Sequence, residues 1–317
     1  MEQNDKKRFI KCLSDVEQVD LLSMEHFSTG IPSLDRCLGG VYFGQLIVLT
    51  GKRGEGKSTY ASWILANALD AGQKVFAYSG ELPDYHFRNW LDLQIAGADE
   101  QDITKNEYGD EIYSVKADAR AKLTEFYRDR AFIFDNSQIP ETADNDLLIN
   151  TIIESAEQYG CRVILVDNLM TAMDVSPNYD PYRAQSAFVK KLKMTAQKYK
   201  LAVILIAHPR KEGEDVDLSN DSVAGSSDIT NLADTVITYE KSKDSEKKND
   251  KSLEPYHSRI GVIKNRLTGK RLLSKETKVK VIYSPKTKRI VENLEDGSER
   301  ICCFGKRRKY EDFVLPF

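Results

Sequence analysis

The chain has 317 residues, of which 41% are hydrophobic and 30% are charged, and its formal net charge is −3. This length allows one large α/β domain with short appendages, or two modest domains. The slightly negative charge argues against a uniformly basic nucleic-acid-binding surface but is compatible with a local basic channel. The sequence shows neither an apolar run of membrane-spanning length nor the apolar stretch of a signal peptide near its polar start, so no membrane association is expected.

The cysteines indicate a reducing environment. None of them shows a Cys-x-x-Cys or a Cys/His ligand spacing, so no metal cluster is expected; they are Cys12, Cys37, Cys161, Cys302 and Cys303. Unpaired thiols are typical of a cytoplasmic protein, which would be the host cytoplasm if the gene is carried by a phage.

A short amphipathic helix is predicted near the start of the chain. Between residues 6 and 26 apolar residues recur at roughly helical spacing, namely Phe9, Ile10, Leu13, Val16, Val19 and Leu22. The segment is too short for a separate catalytic domain.

From residue 27 to 289, apolar runs of strand length alternate with segments of helical periodicity. This alternation predicts an α/β fold with a mainly parallel sheet that is covered by helices on both faces. The predicted strands are 45–50, 74–79, 131–134, 162–167, 201–207, 235–239, 259–264 and 279–283. The predicted helices are 57–71, 83–97, 115–129, 144–159 and 180–199. Two highly polar stretches, 211–222 and 241–254, lie between predicted strands, where functional loops are expected.

A phosphate-binding loop is predicted directly after the first of these strands. Residues 51–58 match the pattern Gly-x-x-x-x-Gly-Lys-Ser, and a helical segment follows them. The backbone N–H groups of such a loop and the helix N-terminus attract phosphate oxygens. The loop therefore predicts binding of ATP or another nucleoside triphosphate, with a lysine on the β- and γ-phosphates. The predicted nucleotide-binding residues are Gly51, Lys52, Arg53, Gly54, Glu55, Gly56, Lys57, Ser58 and Thr59.

A magnesium site is predicted beside this loop. The run Val163 to Val166 is apolar and ends in Asp167, which is typical of a buried strand that presents a carboxylate to an active site. The Ser58 hydroxyl and the Asp167 carboxylate would share the Mg²⁺ shell. The alternative is a strand that happens to end in an acid.

Two further strand ends carry candidates for catalysis. Glu81 follows the strand 74–79, which places it at the same sheet edge as the phosphate loop and favours a role in orienting or deprotonating water. Alternatively, Glu81 only stabilises the start of the following helix. His208 follows the strand 201–207, where it could contact the γ-phosphate; a lone histidine is more often a structural hydrogen-bonding group.

Lys264 and Arg266 are the last candidates for catalysis along the chain. Lys264 and Arg266 alternate onto one face of a predicted strand as it leads into a turn. Two cations on one face suit the stabilisation of charge on a transferring phosphoryl group. The alternative is a solvated basic edge.

Between residues 28 and 289, these motifs resemble, in order, the motor domain of the DnaB-like hexameric replicative helicases, which are RecA-like P-loop ATPases. The segments that carry the resemblance are 28–40, the phosphate loop, 78–82 with Glu81, 208–211 with the sequence His-Pro-Arg-Lys, 225–237, and Lys264-Asn-Arg266. The resemblance implies that Glu81 activates water, that His208 senses the γ-phosphate, and that Lys264 and Arg266 reach across a subunit interface.

The resemblance also implies a homo-oligomeric ring, typically of six subunits, that moves 5′→3′ on single-stranded DNA by hydrolysing ATP with Mg²⁺. DNA contacts are expected at Lys211, Gly225, Ser226 and Ser227, although Ala224 and Ser227 stand where the family often has arginine and glycine. Primases and polymerases are the implied partners. The N-terminal helix is expected to dock on a neighbouring subunit or to pack on its own domain.

This interpretation divides the chain into an N-terminal linker helix (1–27), an ATPase domain (28–290) and a C-terminal tail (291–317). The chain lacks the family's N-terminal collar, which predicts a compact helicase or a fragment of a longer one. A RecA-like recombinase that forms filaments, or a regulatory ATPase that switches a partner, are the alternative functions.

Overall fold

The computed structural model describes residues 10–139, 146–172, 180–208, 227–242, 247–248, 251 and 255–292. Its strands are β1 (His26–Phe27), β2 (Val41–Tyr42), β3 (Gln45–Thr50), β4 (Val75–Ser79), β5 (Gln101–Lys105), β6 (Glu111–Val115), β7 (Ala131–Ile133), β8 (Val163–Asp167), β9 (Ala202–Ala207), β10 (Thr235–Lys241), β11 (Ser258–Asn265), β12 (Val279–Tyr283) and β13 (Ile290–Val291). Its α-helices are α1 (Pro32–Leu38), α2 (Lys57–Asp70), α3 (Asp84–Ala96), α4 (Ala117–Tyr127), α5 (Leu147–Gln158), α6 (Pro181–Tyr199) and α7 (Ser227–Leu232).

A nine-stranded sheet forms the centre of the described part of the chain, in the order β13-β12-β11-β10-β3-β9-β8-β4-β7. The strands from β10 to β7 are parallel to their neighbours, and β11, β12 and β13 extend the sheet in antiparallel fashion. The predicted α/β fold with a mainly parallel sheet is confirmed. Each of the eight predicted strands is present, with ends that differ by at most two residues.

The core lies on both faces of this sheet because the central strands carry continuous apolar runs, such as Leu46 to Leu49 in β3 and Val163 to Val166 in β8. In β3, Ile47 and Leu49 face α1 and α2, whereas Leu46 and Val48 face α5 and α6. A strand that is buried on both faces needs this continuous apolar run, and a strand with one solvated face would alternate. The sheet edge at which β3, β4, β8 and β9 end is therefore held rigidly between two helical layers.

Asp234 links α6 to the start of β3. Its carboxylate accepts a hydrogen bond from the Leu46 N–H at 2.8 Å and forms an ion pair with Lys193 of α6. Both side chains are nearly buried, so each charge depends on the other for compensation.

The predicted N-terminal helix is wrong for the residues that the structure describes. Residues 10–25 contain only two short 3₁₀ turns, Leu13–Asp15 and Leu21–Ser23, and the side chains of Ile10 and Leu13 are exposed. An isolated short helix is marginal in water, and its stability comes mainly from packing of its apolar face. The apolar side chains of Ile10, Leu13, Val16, Val19 and Leu21 are all exposed, so they provide no such packing.

The β5–β6 hairpin was not predicted. Its turn is held by Asn106, whose side-chain oxygen accepts hydrogen bonds from the N–H groups of Tyr108 and Asp110.

Within the described ranges, no helix is long and apolar enough to cross a bilayer.

Candidate active site

The predicted phosphate loop connects β3 to α2 and is closely packed. A Cβ atom on Gly51 would lie 2.1 Å from the carbonyl oxygen of Tyr239 in β10. Gly54 and Gly56 have φ angles of +75° and +105°, which glycine adopts without the steric penalty of other residues. The Lys52 N–H donates to the Glu55 carboxylate at 2.7 Å, which closes the loop on itself. The close contact with β10, the glycine backbone angles and this hydrogen bond thus define the shape of the loop.

Lys57 begins α2 and lies over the loop. Its side chain is buried, and its Nζ donates to the carbonyl oxygen of Lys52 at 2.7 Å. Burial lowers the pKa of Lys57, and the carboxylates of Glu55, Asp167 and Glu81 counteract this effect. A buried ammonium group beside a helix N-terminus is a strong electrostatic site for a polyanion. Thr59, in the same helical turn, is buried as well.

Asp167 ends β8 directly beside this turn. The Ser58 hydroxyl donates a hydrogen bond to it, and burial, with a smaller contribution from Glu81, raises the pKa of Asp167 to about 6. One hydroxyl and one carboxylate are the hard oxygen donors that Mg²⁺ prefers, and Mg²⁺ usually takes its other ligands from water and phosphate. Ser58 and Asp167 therefore fit the predicted magnesium site.

Glu81 and His208 lie together, although they follow different strands. The Glu81 carboxylate is 3.5 Å from His208 Nε2. Burial is the main cause that lowers the pKa of His208, and the charge of Lys57 adds to it. The electrostatic contacts of Lys57 with Glu81, Asp167 and His208 show that the carboxyl ends of β4, β8 and β9 meet at the loop, as the parallel sheet predicts.

Asn168 is a residue of this site that sequence reasoning missed. Its side-chain nitrogen lies 2.5 Å from Glu81 Oε1 and 3.1 Å from His208 Nε2. The available signal was its position, one residue after Asp167 at the carboxyl edge of the sheet. An asparagine also starts turns, so its residue type did not draw attention.

Lys264 and Arg266 are not brought to the phosphate loop of their own chain. The Lys264 Nζ donates to the carbonyl oxygens of Thr230 and Asn231, and Arg266 donates to that of Asn231. The two cations share one face, as predicted, and they interact with the C-terminal end of α7, where positive charge is favourable.

Strand register gives the separation of this pair from the loop. The Arg266 N–H donates to the Asp234 carbonyl oxygen, and the Asp234 N–H donates to Leu46 near the start of β3. Thr50, the last residue before the loop, lies four positions after Leu46, which at ~3.3 Å per residue corresponds to roughly 13 Å along the strand.

The predicted DNA-binding residues are described only in part. Lys211, Gly225 and Ser226 lie outside the described residues, and Ser227 is described only as the first residue of α7.

Comparison with solved structures shows the same fold in two other proteins. The ATPase domain of G40P superposes with a TM-score of 0.64 at 14% identity, over 84% of this chain and 91% of that chain. A DnaB-like replicative helicase, solved with a view to its interactions with primase, superposes with a TM-score of 0.65 at 15% identity. That match covers 84% of this chain and 63% of the helicase.

Sequence comparison identifies the family. A model of the AAA domain matches residues 14–214, a span that includes the phosphate loop, Glu81, Asp167 and His208. The match extends over more than half of the chain. The chain therefore belongs to the AAA domain family.

Proposed function

We propose that this chain is the motor of a ring-forming, DnaB-like DNA helicase. It hydrolyses ATP with Mg²⁺, translocates on single-stranded DNA in the 5′→3′ direction, and unwinds duplex DNA during replication. The observation that carries the proposal is the meeting of Lys57, Asp167 and Glu81 at one sheet edge, around the N-terminus of α2. The fold shared with the ATPase domain of G40P and with a DnaB-like replicative helicase supports it, as does the resemblance of the motifs.

Each residue at this edge has a role in phosphoryl transfer. Lys57 neutralises charge on the β- and γ-phosphates, and Ser58 and Asp167 hold Mg²⁺, which when bound adds positive charge to the same oxygens. Glu81 orients a water molecule and accepts its proton as the water oxygen attacks the γ-phosphorus and the bond to the ADP oxygen breaks. His208, in contact with Glu81, reports the γ-phosphate to the segment that follows β9.

Catalysis in this proposal requires a second subunit. Lys264 and Arg266 lie at the far end of β3 from their own loop, so they serve the nucleotide of a neighbouring copy as a cationic finger. The finger and the loop then occupy opposite sides of each subunit, which is a head-to-tail arrangement that closes into a ring. A ring of six is the number that the family resemblance suggests.

DNA binding is assigned to the segment between β9 and α7. Lys211, Gly225, Ser226 and Ser227 would contact the phosphate backbone, mostly through main-chain N–H groups. Because few side-chain charges are involved, we expect a weak dependence of DNA affinity on salt. A primase or a polymerase would bind the assembled ring.

The first test is an ATPase assay with and without single-stranded DNA. We expect DNA to raise the hydrolysis rate and Lys57→Ala to abolish it, whereas Lys198→Ala, an exposed substitution on α6, leaves the rate unchanged. ATPase activity that is indifferent to every nucleic acid would count against a helicase. Electron micrographs with a non-hydrolysable ATP analogue should show closed rings, and open filaments would instead indicate a recombinase.

The second test addresses the shared site. Arg266→Ala subunits mixed with Glu81→Gln subunits should regain ATPase activity, because some interfaces then contain an intact Glu81 and an intact Arg266. The control is the double variant Glu81→Gln/Arg266→Ala, which should restore no activity to either single variant. If proven mixed assemblies show no recovery, Arg266 does not act in trans.

A further inference from the structure

Asn168 is held in one orientation by its own turn. Its side-chain oxygen accepts hydrogen bonds from the N–H groups of Met170 at 2.9 Å and Thr171 at 3.2 Å. Since this oxygen already faces two donors, the other end of the amide must be the NH₂ group. The residue is 1% exposed, so water does not compete for these hydrogen bonds.

The NH₂ group points at the two reactive side chains of the site. One N–H donates to the Glu81 carboxylate at 2.5 Å, and the other faces His208 Nε2 at 3.1 Å. An amide nitrogen can only donate, so in this contact Nε2 accepts and the imidazole proton resides on Nδ1, which is buried and has no hydrogen-bond partner among the described residues. Asn168, which follows β8, thereby connects Glu81, which follows β4, with His208, which follows β9.

This junction adds a short hydrogen bond to a carboxylate that is half-exposed. The Glu81 side chain is 50% exposed, whereas that of His208 is 14% exposed. Without the amide, Glu81 would keep only its 3.5 Å contact with His208 Nε2 and would be more solvated. With the amide in place, a displacement of His208 is transmitted to Glu81 through one rigid, planar group.

We propose that Asn168 is a positioning residue that couples the water-orienting carboxylate of Glu81 to the phosphate-sensing imidazole of His208. This proposal rests on the proposed ATPase function. Asn168 acts through Glu81 and His208 and is not itself a catalytic residue. Its loss should therefore reduce turnover. The affinity for the nucleotide depends on Lys57 and the loop and should be nearly unchanged.

The kinetic test compares Asn168→Asp and Asn168→Ala with the unchanged chain. The aspartate has the same shape, but when ionised it donates no hydrogen bond to Glu81 or His208 and adds a negative charge beside Glu81. We expect kcat for ATP to fall about 10- to 100-fold in both variants, as for other residues that orient a catalytic group. Binding of a fluorescent ATP analogue, which also reports correct folding, should change less than about threefold, because binding and chemistry are separable.

The matched control is Thr171→Val. Thr171 Oγ1 exchanges hydrogen bonds with the backbone of Asn168 and supports the same turn, but it donates nothing to Glu81 or His208. An equal loss of kcat in Thr171→Val would reduce Asn168 to a structural role and overturn the proposal. The double variant Asn168→Ala/His208→Ala should lose no more activity than the worse single variant, since both break the same unit. Additive losses would overturn it.

A measurement that needs no ATPase activity separates this proposal from the proposed function. The chain has four histidines, so ¹⁵N NMR of histidine-labelled protein, with His208→Asn for assignment, can identify the tautomer of His208. We expect a proton on Nδ1 and an unprotonated Nε2 whose shift moves in Asn168→Ala. A proton on Nε2 would exclude the junction even if the chain is an active ATPase. The expected tautomer in a chain that hydrolyses no ATP would instead refute only the proposed function.

Discussion

Gly51 and Tyr239 lie so close that a Cβ on Gly51 would be 2.1 Å from the Tyr239 carbonyl oxygen. This contact fixes how closely the start of the phosphate loop approaches the backbone of β10. A methyl group cannot be accommodated there by rotating a side chain, because the opposing atom belongs to the backbone of a central strand.

We therefore expect Gly51→Ala to displace the loop. Overpacking of this kind costs about 1–3 kcal/mol of unfolding free energy, and ATP affinity should fall at least about tenfold. The control is Gly44→Ala, where φ is +80° but no atom lies within 4 Å of the new Cβ. It should lose stability through the backbone alone and keep its ATP affinity. Urea unfolding and nucleotide titration measure both quantities, and normal ATP binding by Gly51→Ala would contradict the prediction.

Asp167 is predicted to lower stability at neutral pH in the absence of Mg²⁺. Burial raises the pKa of Asp167 from 3.8 to about 6. Between these values the folded chain binds the proton more readily than the unfolded chain, so stability is lost as the pH rises from 4 through 6. The full effect corresponds to about 3 kcal/mol.

Asp167→Asn should remove this loss, because the amide still accepts the Ser58 hydrogen bond but does not ionise. We expect the variant to unfold at higher urea concentration at pH 7.5, to match the unchanged chain near pH 4, and to lose ATPase activity. Glu154→Gln on the exposed side of α5 is the control and should change stability by less than about 0.5 kcal/mol. Equal stabilities of Asp167→Asn and the unchanged chain at pH 7.5 would show that the carboxylate is not destabilising.

The ion pair of Asp234 and Lys193 predicts a strong non-additivity. Asp234→Ala leaves the Lys193 ammonium and the Leu46 N–H without their partner and should cost about 3–5 kcal/mol. The double variant Lys193→Met/Asp234→Asn removes both charges and retains an acceptor for Leu46, so it should be close to the unchanged chain. Urea unfolding of all variants tests this. A double variant as unstable as Asp234→Ala would show that the charges themselves are required.

The ion pair of Glu25 and Arg162 attaches the N-terminal segment to the residues just before β8. Arg162 donates to both oxygens of the Glu25 carboxylate, at 2.8 and 2.6 Å, and stacks 3.7 Å from the centre of the Phe43 ring. Arg162→Ala should raise hydrogen exchange over residues 24–27 about two- to fivefold, as expected for a partly exposed pair. Arg128→Ala, which breaks the exposed pair with Glu125 on α4, should leave exchange in this segment unchanged. Unchanged exchange in Arg162→Ala would place the attachment elsewhere.

The central elements could be predicted because burial on both faces leaves a strong pattern. The apolar runs that became β3, β8 and β9 admit one interpretation, and the glycines before Lys57 require a loop between a strand and a helix. The separate β5–β6 hairpin escaped prediction because β5 carries mostly exposed polar residues around Ile103. The N-terminal helix was predicted from periodicity alone, and periodicity shows only that a helix could pack, not that a surface exists to receive it.

The sequence by itself determined which residues are the candidates for the site, since residue type and position after a strand singled out Lys57, Ser58, Glu81, Asp167 and His208. Only the tertiary structure decided which groups touch. It placed Asn168 between Glu81 and His208, and it set Lys264 and Arg266 against α7 at the other end of the sheet from the loop. The physical reason is that a parallel sheet gathers strand ends that are far apart in the chain. Hydrogen-bond partners among those ends depend on angles and distances of a few ångströms, which leave no trace in spacing.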